Sequence, residues 1–234
     1  MVKFFKIEEE RINFMKAIAL EISVNEKSAI LKGGTSLLLT RGLDRFSEDM
    51  DFDLPLGTVT DFQKHILKAA ENVGIKVDYI NIKKNTETTK RYLVHYQSVF
   101  TEQSDPLKIE CSMRREIDNE DVELVQGIRT YTVARITELK AEAFTNRDRA
   151  RDTYDIAFLT GNYSSEIKPE TWERIEKSIE KKGIDWLSES FDDERDKLLS
   201  DFDGTEIVFN ILENLNQYKK ALECCYKKSK KMKA

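Results

Sequence analysis

The chain has 234 residues, of which 40% are hydrophobic and 35% are charged, and its formal net charge at pH 7 is −5. This length suits one large domain or two small ones, and the apolar fraction is sufficient for a hydrophobic core. The acidic balance argues against a protein that coats nucleic acid nonspecifically, because such binding depends on neutralising phosphates with Lys and Arg.

Cysteine usage and hydropathy predict a cytoplasmic protein that makes no membrane contact. The three cysteines, Cys111, Cys224 and Cys225, fit neither a disulfide framework nor a zinc-binding spacing. The apolar residues at the N-terminus are interrupted by charges, unlike those of a signal peptide. No window reaches the ~20 apolar residues that span a bilayer. We therefore expect a soluble protein of the reducing cytoplasm.

The first 130 residues combine helical and strand periodicity. Helices are expected at 7–23, 35–40 and 60–73, and strands at 28–31, 50–54, 76–82, 91–100 and 107–111. Along the second strand, apolar residues alternate with Asp51 and Asp53, so the two acids share one face. Thr60 and Asp61 are expected to cap the third helix. These elements together predict a mixed α/β region, with segregated strands that look antiparallel.

After residue 130 the periodicity becomes helical. Helices are expected at 133–146, 151–159, 171–181, 192–199 and 205–228. We therefore predict two domains, an α/β domain at 1–130 and a helical domain at 131–234. Two basic segments, 147–151 and 227–233, interrupt the acidic background. Such segments are usually solubilising, and contact with RNA or DNA phosphates is the alternative.

A glycine turn and a run of acids carry the strongest chemical signal. The turn Gly33-Gly34-Thr35 opens a predicted helix, where backbone N–H groups can approach a phosphate. It is followed by three alternating acids, Asp49, Asp51 and Asp53. Adjacent acids of this kind can share divalent cations, and two such ions can clamp the attacking and leaving oxygens of an in-line displacement. A Gly-Gly pair is usually only a turn, but three like charges on one strand face would destabilise a fold that lacks a cation for them.

These residues resemble a known family. The stretch GGTSLLLTRGLDRFSEDMDFDL is similar to the first motif of the AbiEii/AbiGii-type nucleotidyltransferase toxins, a branch of the polymerase-β-like nucleotidyltransferase superfamily. That motif joins a Gly-Gly or Gly-Ser turn to an Asp–apolar–Asp or Asp–apolar–Glu pattern, and here thirteen residues separate Thr35 from Asp49. The resemblance implies an α+β fold, in which a mixed sheet with flanking helices precedes a helical domain. It assigns Asp49 and Asp51 as catalytic metal ligands, with Asp53 as a supporting or alternative ligand.

The superfamily also uses a third carboxylate on a later strand, and Glu110 supplies one. On the predicted strand 107–111, Glu110 shares a face with Lys108, opposite the apolar residues. Glu110 could complete the metal site or help to deprotonate the acceptor hydroxyl. The alternative is an ordinary exposed strand acid.

A second segment resembles the same toxins independently. Its residues 135–144, followed by Arg147, Arg149 and the sequence RDTYD at 151–155, are similar to their helical motif. Lys140 would supply a point charge for triphosphate oxygens, and the arginines could form two-pronged contacts with phosphate. The alternative is a set of surface ion pairs between residues three or four apart on a helix. The nucleotide-binding set that the two motifs imply is Gly33, Gly34, Thr35, Lys140, Arg151, Asp152 and Asp155. We expect the second motif to face the acids across a cleft.

The resemblance implies transfer of a nucleotidyl group from an NTP, with Mg²⁺ or Mn²⁺, mostly by positioning and charge neutralisation. It further implies the toxin of a toxin–antitoxin or phage-defence pair, with tRNA or another RNA as acceptor and an antitoxin protein as partner. Two alternatives remain open. One is modification of a small hydroxylated molecule such as an aminoglycoside. The other is a catalytically silent interaction protein, which the intact acids argue against.

Overall fold

Two compact units, Met1–Thr132 and Val133–Ala234, make up the computed structural model of the chain. The structure describes residues 4–58, 60–102, 105–192, 199 and 202–231, and from residue 225 onward the backbone only. In these described parts, no helix is long and apolar enough to cross a membrane.

The first unit consists of a sheet and three helices. Its elements are α1 (Lys6–Asn25), β1 (Ile30–Lys32), α2 (Gly33–Arg41), β2 (Met50–Asp53), α3 (Gln63–Val73), β3 (Lys76–Thr86), β4 (Thr89–Gln97), β5 (Leu107–Ser112), β6 (Val122–Val125) and β7 (Ile128–Tyr131). Helix α3 begins three residues later than predicted. Phe62 is its N-cap residue, and Asp61 contributes by accepting a hydrogen bond from the Gln63 amide at 3.1 Å.

The seven strands form one mixed sheet in the order β3-β4-β5-β2-β1-β7-β6. Strand β2 lies at its centre, antiparallel to β1 and parallel to β5, and β1 is also parallel to β7. Among the predicted strands, the expectation of antiparallel pairing was therefore wrong for β2 and β5, because sequence periodicity carries no information on strand direction. The sequence also missed β6 and β7, which have only four residues each and contain charged residues.

Helices α1 and α3 cover one face of this sheet and bury its apolar residues. Phe52 of β2 packs edge-on against Phe62 at 5.4 Å between ring centroids. Phe14 of α1 meets Tyr96 of β4 in the same way at 5.2 Å. Burying one face fixes the register, since a slip of one residue would carry the whole apolar set to the other side. The acids of β2 are thereby held on the face opposite this core.

All the secondary-structure elements described in the second unit are helical. Its elements are α4 (Val133–Asn146), α5 (Ala150–Asn162), α6 (Pro169–Lys182), α7 (Ile184–Glu189) and α8 (Gly204–Lys231), with short 3-10 turns at Ser164–Glu166 and Ser190–Asp192. The sequence missed α7. The predicted helix at 192–199 begins in a 3-10 turn, and its residues 193–198 lie outside the described part of the chain. A core of buried side chains holds the unit together: Ala141, Phe144, Ile156, Ile175, Ile179, Leu187, Val208 and Ile211.

Candidate active site

The acids of β2 and β5 lie side by side across the middle of the sheet. The Cα of Asp51 pairs with that of Lys32 on β1 and with that of Glu110 on β5, and Glu110 pairs in turn with Arg91 on β4. Directly paired residues point to the same side of a sheet. A row of alternating charge, Lys32–Asp51–Glu110–Arg91, therefore crosses four strands. We call the sheet surface that carries this row, together with Asp49 and Asp53, the acidic face.

Each of the three acids that flank Asp51 has a basic partner. Lys108 forms an ion pair with Asp49. Arg91 donates to Glu110 Oε2 from Nε at 2.8 Å and from Nη2 at 2.6 Å.

Asp53 is 1% exposed and has two partners. The ammonium group of Lys32 lies 2.6 Å from its Oδ1, and the hydroxyl group of Tyr131 lies 3.0 Å from its Oδ2.

Asp51 differs from its neighbours, because no residue in the described parts of the chain donates a hydrogen bond to its carboxylate. Burial raises the pKa of Asp51 above its usual value, and the charges of Asp49 and Glu110 add to that rise. Lys32 and Lys108 lower the pKa of Asp51, but they only partly offset the effect of burial. The central carboxylate therefore lacks a cation in direct contact.

The glycine turn brings the backbone close to this carboxylate. Gly33 has φ +78°, a conformation that favours glycine, and a Cβ there would lie 3.4 Å from Asp51 Oδ2. At Gly34 a Cβ would lie 2.8 Å from Nη2 of Arg45 and 3.0 Å from Oγ of Ser47. Helix α2 begins at this turn, so its first unpaired N–H groups lie near Asp51.

Thr35 is predicted to bind nucleotide, but its side chain is buried and forms hydrogen bonds within the protein. Its hydroxyl group donates to the backbone oxygen of Asp49 and is 2.8 Å from the hydroxyl group of Ser47. These bonds tie the start of α2 to the residue before β2. The side chain of Thr35 therefore fixes the position of Asp49.

The chemistry of these donors fits a hard divalent cation, since carboxylate oxygens are the ligands that Mg²⁺ and Mn²⁺ prefer. The partly buried Asp51, with no donor in contact, is the observation that supports this fit. The present arrangement does not enclose an ion. Among the described residues, no three acidic, histidine or cysteine side chains are grouped tightly enough to hold a metal. Lys108 and Arg91 occupy the carboxylates of Asp49 and Glu110, so ion binding requires these two cations to move aside.

The second motif forms a buried polar cluster within the helical unit. Lys140 of α4 forms an ion pair with Asp155 of α5, whose side chain is fully buried. Asp152, three residues earlier, is 2% exposed, and its Oδ2 has no hydrogen-bond partner among the described residues. Nε of Arg147 lies 3.8 Å from this oxygen. Arg151 lies at the start of α5 and is half-buried.

Sequence reasoning missed the partners that organise the acidic face, namely Lys32, Arg91 and Tyr131. The only sequence signal for Lys32 was its position immediately before Gly33. Arg91 and Tyr131 lie on strands far along the chain, and only the sheet register brings them to the acids.

Comparison with known proteins identifies the family. The sequence profile described as the nucleotidyl transferase AbiEii toxin of type IV toxin–antitoxin systems matches residues 14–221. The chain belongs to the AbiEii nucleotidyltransferase family. This confirms the resemblance seen in the sequence.

Two solved structures are similar to this AbiEii family member. JHP933 from Helicobacter pylori is 28% identical, with a TM-score of 0.87 over 99% of this chain and 100% of that chain. A candidate nucleotidyltransferase from H. pylori is also 28% identical, with a TM-score of 0.83 over 95% and 99% of the two chains. None of the curated proteins matches the chain. The α+β fold prediction is confirmed, and the protein is a nucleotidyltransferase of a toxin family that implies an antitoxin partner.

Proposed function

We propose that this AbiEii family member transfers a nucleotidyl group from an NTP to an acceptor in a reaction that depends on Mg²⁺ or Mn²⁺. The observation that carries the proposal is Asp51, a partly buried carboxylate that has no direct partner and lies between two further acids. A protein that had lost its activity would have no reason to retain this unfavourable charge. This argues against a silent interaction protein.

In this proposal Asp49, Asp51 and Glu110 are the metal ligands. A bound divalent ion would supply charge neutralisation for the phosphates and a lower pKa for the attacking hydroxyl. Lys108 and Arg91 serve as counter-ions of Asp49 and Glu110 until the ion arrives. Their long side chains are about one-third exposed, so they can turn away and then face the incoming phosphates.

Binding of the nucleotide is assigned to the two motifs. The turn Gly33-Gly34-Thr35 offers backbone N–H groups at the start of α2, and a helix N-terminus favours anionic phosphate. Lys140, which the buried Asp155 orients, is a rigid point charge for the same purpose. Arg151 and Asp152 complete the proposed set.

RNA, and tRNA in particular, is the proposed acceptor. Support comes from the toxin family and from the basic segments at 147–151 and 227–233, which can attract a polyanion locally although the chain is acidic. The side chains of the second segment lie outside the described part of the chain.

One cavity favours a second candidate, transfer to a small cationic molecule of the aminoglycoside type. Its volume is about 580 Å³, and it lies where His95 of β4 stacks on Tyr79 of β3 at 4.2 Å between ring centroids. His95 is on the same side of β4 as Arg91, so the ring pair borders the acidic face. Three acids line the cavity, Asp78, Glu102 and Asp105. Aromatic faces and carboxylates together suit an amine.

The test is to incubate the protein with each labelled NTP and Mg²⁺, offering total tRNA or an aminoglycoside such as kanamycin as acceptor. Asp51→Asn should reduce label transfer by at least about a hundredfold, because the central metal ligand is removed. The matched control is Asp118→Asn, an exposed residue that caps a short turn, where Asn caps as well as Asp. Full activity of Asp51→Asn would overturn the metal assignment, and label on kanamycin with none on RNA would favour the second candidate.

A further inference from the structure

We propose that Lys32 binds the polyphosphate of the incoming NTP and that Asp53 and Tyr131 are positioning residues that hold its ammonium group beside Asp51. This inference rests on the proposed function and extends it. It assigns a role to the third acid of the run, which the sequence left open as a possible metal ligand.

The position of Lys32 is set by two elements. It is the last residue of β1, and the glycine turn that opens α2 follows it directly. Its Cα pairs with that of Asp51, so the side chain emerges on the acidic face beside the proposed metal ligand. A phosphate bound between the amides of the turn and an ion on Asp51 would lie next to this ammonium group.

The ammonium group of Lys32 has capacity for a ligand. The side chain is 24% exposed, and within the described parts of the chain Asp53 is its hydrogen-bond partner, at 2.6 Å. An ammonium group has three donors, so two remain for phosphate oxygens. A lysine that served only to neutralise a buried acid would gain nothing from this exposure.

Asp53 is suited to holding Lys32 and unsuited to binding a metal. Its carboxylate is almost fully buried, and each oxygen has its own donor, Lys32 at Oδ1 and Tyr131 at Oδ2. The hydroxyl group of Tyr131, on β7, reaches the Asp53 carboxylate from beyond the intervening strand β1. Three strands thus join in one relay, Tyr131 to Asp53 to Lys32, and the order of the sheet maintains it.

The first experiment measures equilibrium binding of ATP, GTP, CTP and UTP by calorimetry, followed by the NDP and NMP of the tightest binder. Lys32→Met should weaken NTP binding about tenfold or more, NDP binding less and NMP binding little, because the lysine's attraction for the ligand grows with the number of phosphates. Lys76→Met, an exposed residue on β3, is the matched control and should bind as the wild type does.

A second measurement separates this role from a merely structural one. Lys32→Met removes a cation near Asp51, so Mn²⁺ binding, followed by electron paramagnetic resonance, should stay unchanged or become tighter. A misfolded site would lose affinity for both NTP and Mn²⁺, and in that event the milder Lys32→Gln replaces Lys32→Met.

The positioning role of Tyr131 is tested by a double-mutant cycle. Tyr131→Phe should raise the KM for NTP more than it changes kcat, and it should add little to Lys32→Met, because both changes act through the same ammonium group. Three results would each overturn the inference. They are wild-type NTP affinity in Lys32→Met, an equal decrease in affinity for NMP and NTP, and full additivity of the effects of Tyr131→Phe and Lys32→Met. If Lys32→Met binds NTP as the wild type does while Asp51→Asn is inactive, the inference about Lys32 fails and the proposed function stands. If the wild type neither binds any NTP nor yields product, the inference and the proposed function both fail.

Discussion

Asp51 imposes a stability cost on the first unit that a bound cation would remove. Its pKa is raised by burial, so the folded protein holds the Asp51 proton more tightly than the unfolded chain does. Unfolding then releases a proton in the pH range between the ordinary Asp pKa and the raised value, and stability falls as pH rises through that range. Below the ordinary pKa both states are protonated, and the cost disappears.

Asp51→Asn should therefore melt a few degrees above the wild type at pH 7 in EDTA, because the buried charge is gone. The difference should shrink as the pH falls toward and below the ordinary Asp pKa. Added Mg²⁺ or Mn²⁺ should raise the melting temperature of the wild type only, since ligands that bind the folded state stabilise it. Calorimetric scans across this pH range check the prediction, and a wild type that is the more stable protein at neutral pH would contradict it.

At the level of single residues, the sequence located the acids but not their partners. Alternation along 50–54 placed Asp51 and Asp53 on one face, and the structure has them there. Nothing in the sequence distinguished Asp53, which is buried and accepts hydrogen bonds from two partners, from Asp51, which lacks a direct partner. That difference depends on Lys32 and Tyr131, and only strand pairing brings them to Asp53.

Among the elements, long periodic segments were predictable and short ones were not. Helix α4 was predicted with the boundaries it has, because its apolar residues recur over fourteen positions. Strands β6 and β7 and helix α7 have four to six residues each, too few to establish a period. The order of the strands could not be predicted from the sequence either, since β1 pairs with β7 across about a hundred residues of chain.

The packing of α6 against α8 provides a test at the scale of elements. Trp172 of α6 is fully buried and stacks on Tyr218 of α8 at 4.8 Å between ring centroids. Trp172→Ala should destabilise the helical unit by about 3–5 kcal/mol, the usual cost of removing a buried aromatic side chain.

The matched control is the other tryptophan, Trp186, which is 41% exposed. The Lys182 ammonium group lies 5.2 Å from its ring centroid, and much of the ring is in solvent, so Trp186→Ala should cost less than Trp172→Ala. Urea denaturation followed by circular dichroism measures the free energy of unfolding of both variants. Equal decreases would show that the buried Trp172–Tyr218 stack stabilises the unit no more than the exposed Trp186 does.

At the scale of the whole molecule, the proposed RNA acceptor can be tested at the basic segment 227–233. Truncation after Cys225 removes residues 226–234, among them the basic segment at 227–233. If this segment binds phosphates, truncation should weaken tRNA binding and leave NTP binding unchanged. It should also make the salt dependence shallower. The log–log slope should change by about 0.9 for each duplex phosphate that the tail neutralises, or by about 0.7 for each phosphate of a single strand.

Filter binding at several salt concentrations measures this slope, and replacing the lysines of the tail with glutamine is the control for chain length. Identical slopes for the full chain and the truncated chain would exclude the tail as a phosphate-binding segment. Binding would then depend on other residues, of which the segment at 147–151 is the first to mutate.

The position of β1 between β2 and β7 has a consequence for the synthesis of the protein. While only the residues up to Ser112 have emerged from the ribosome, β1 lacks its neighbour β7 and is an edge strand, and the residues that complete the relay are not yet available for folding. Thr130 then adds the bond from its hydroxyl group to the Leu31 carbonyl at 3.0 Å, and Tyr131 adds its bond to Asp53. A chain that ends before Tyr131 would therefore lack the residue that fixes Asp53 and would leave the relay to Lys32 incomplete.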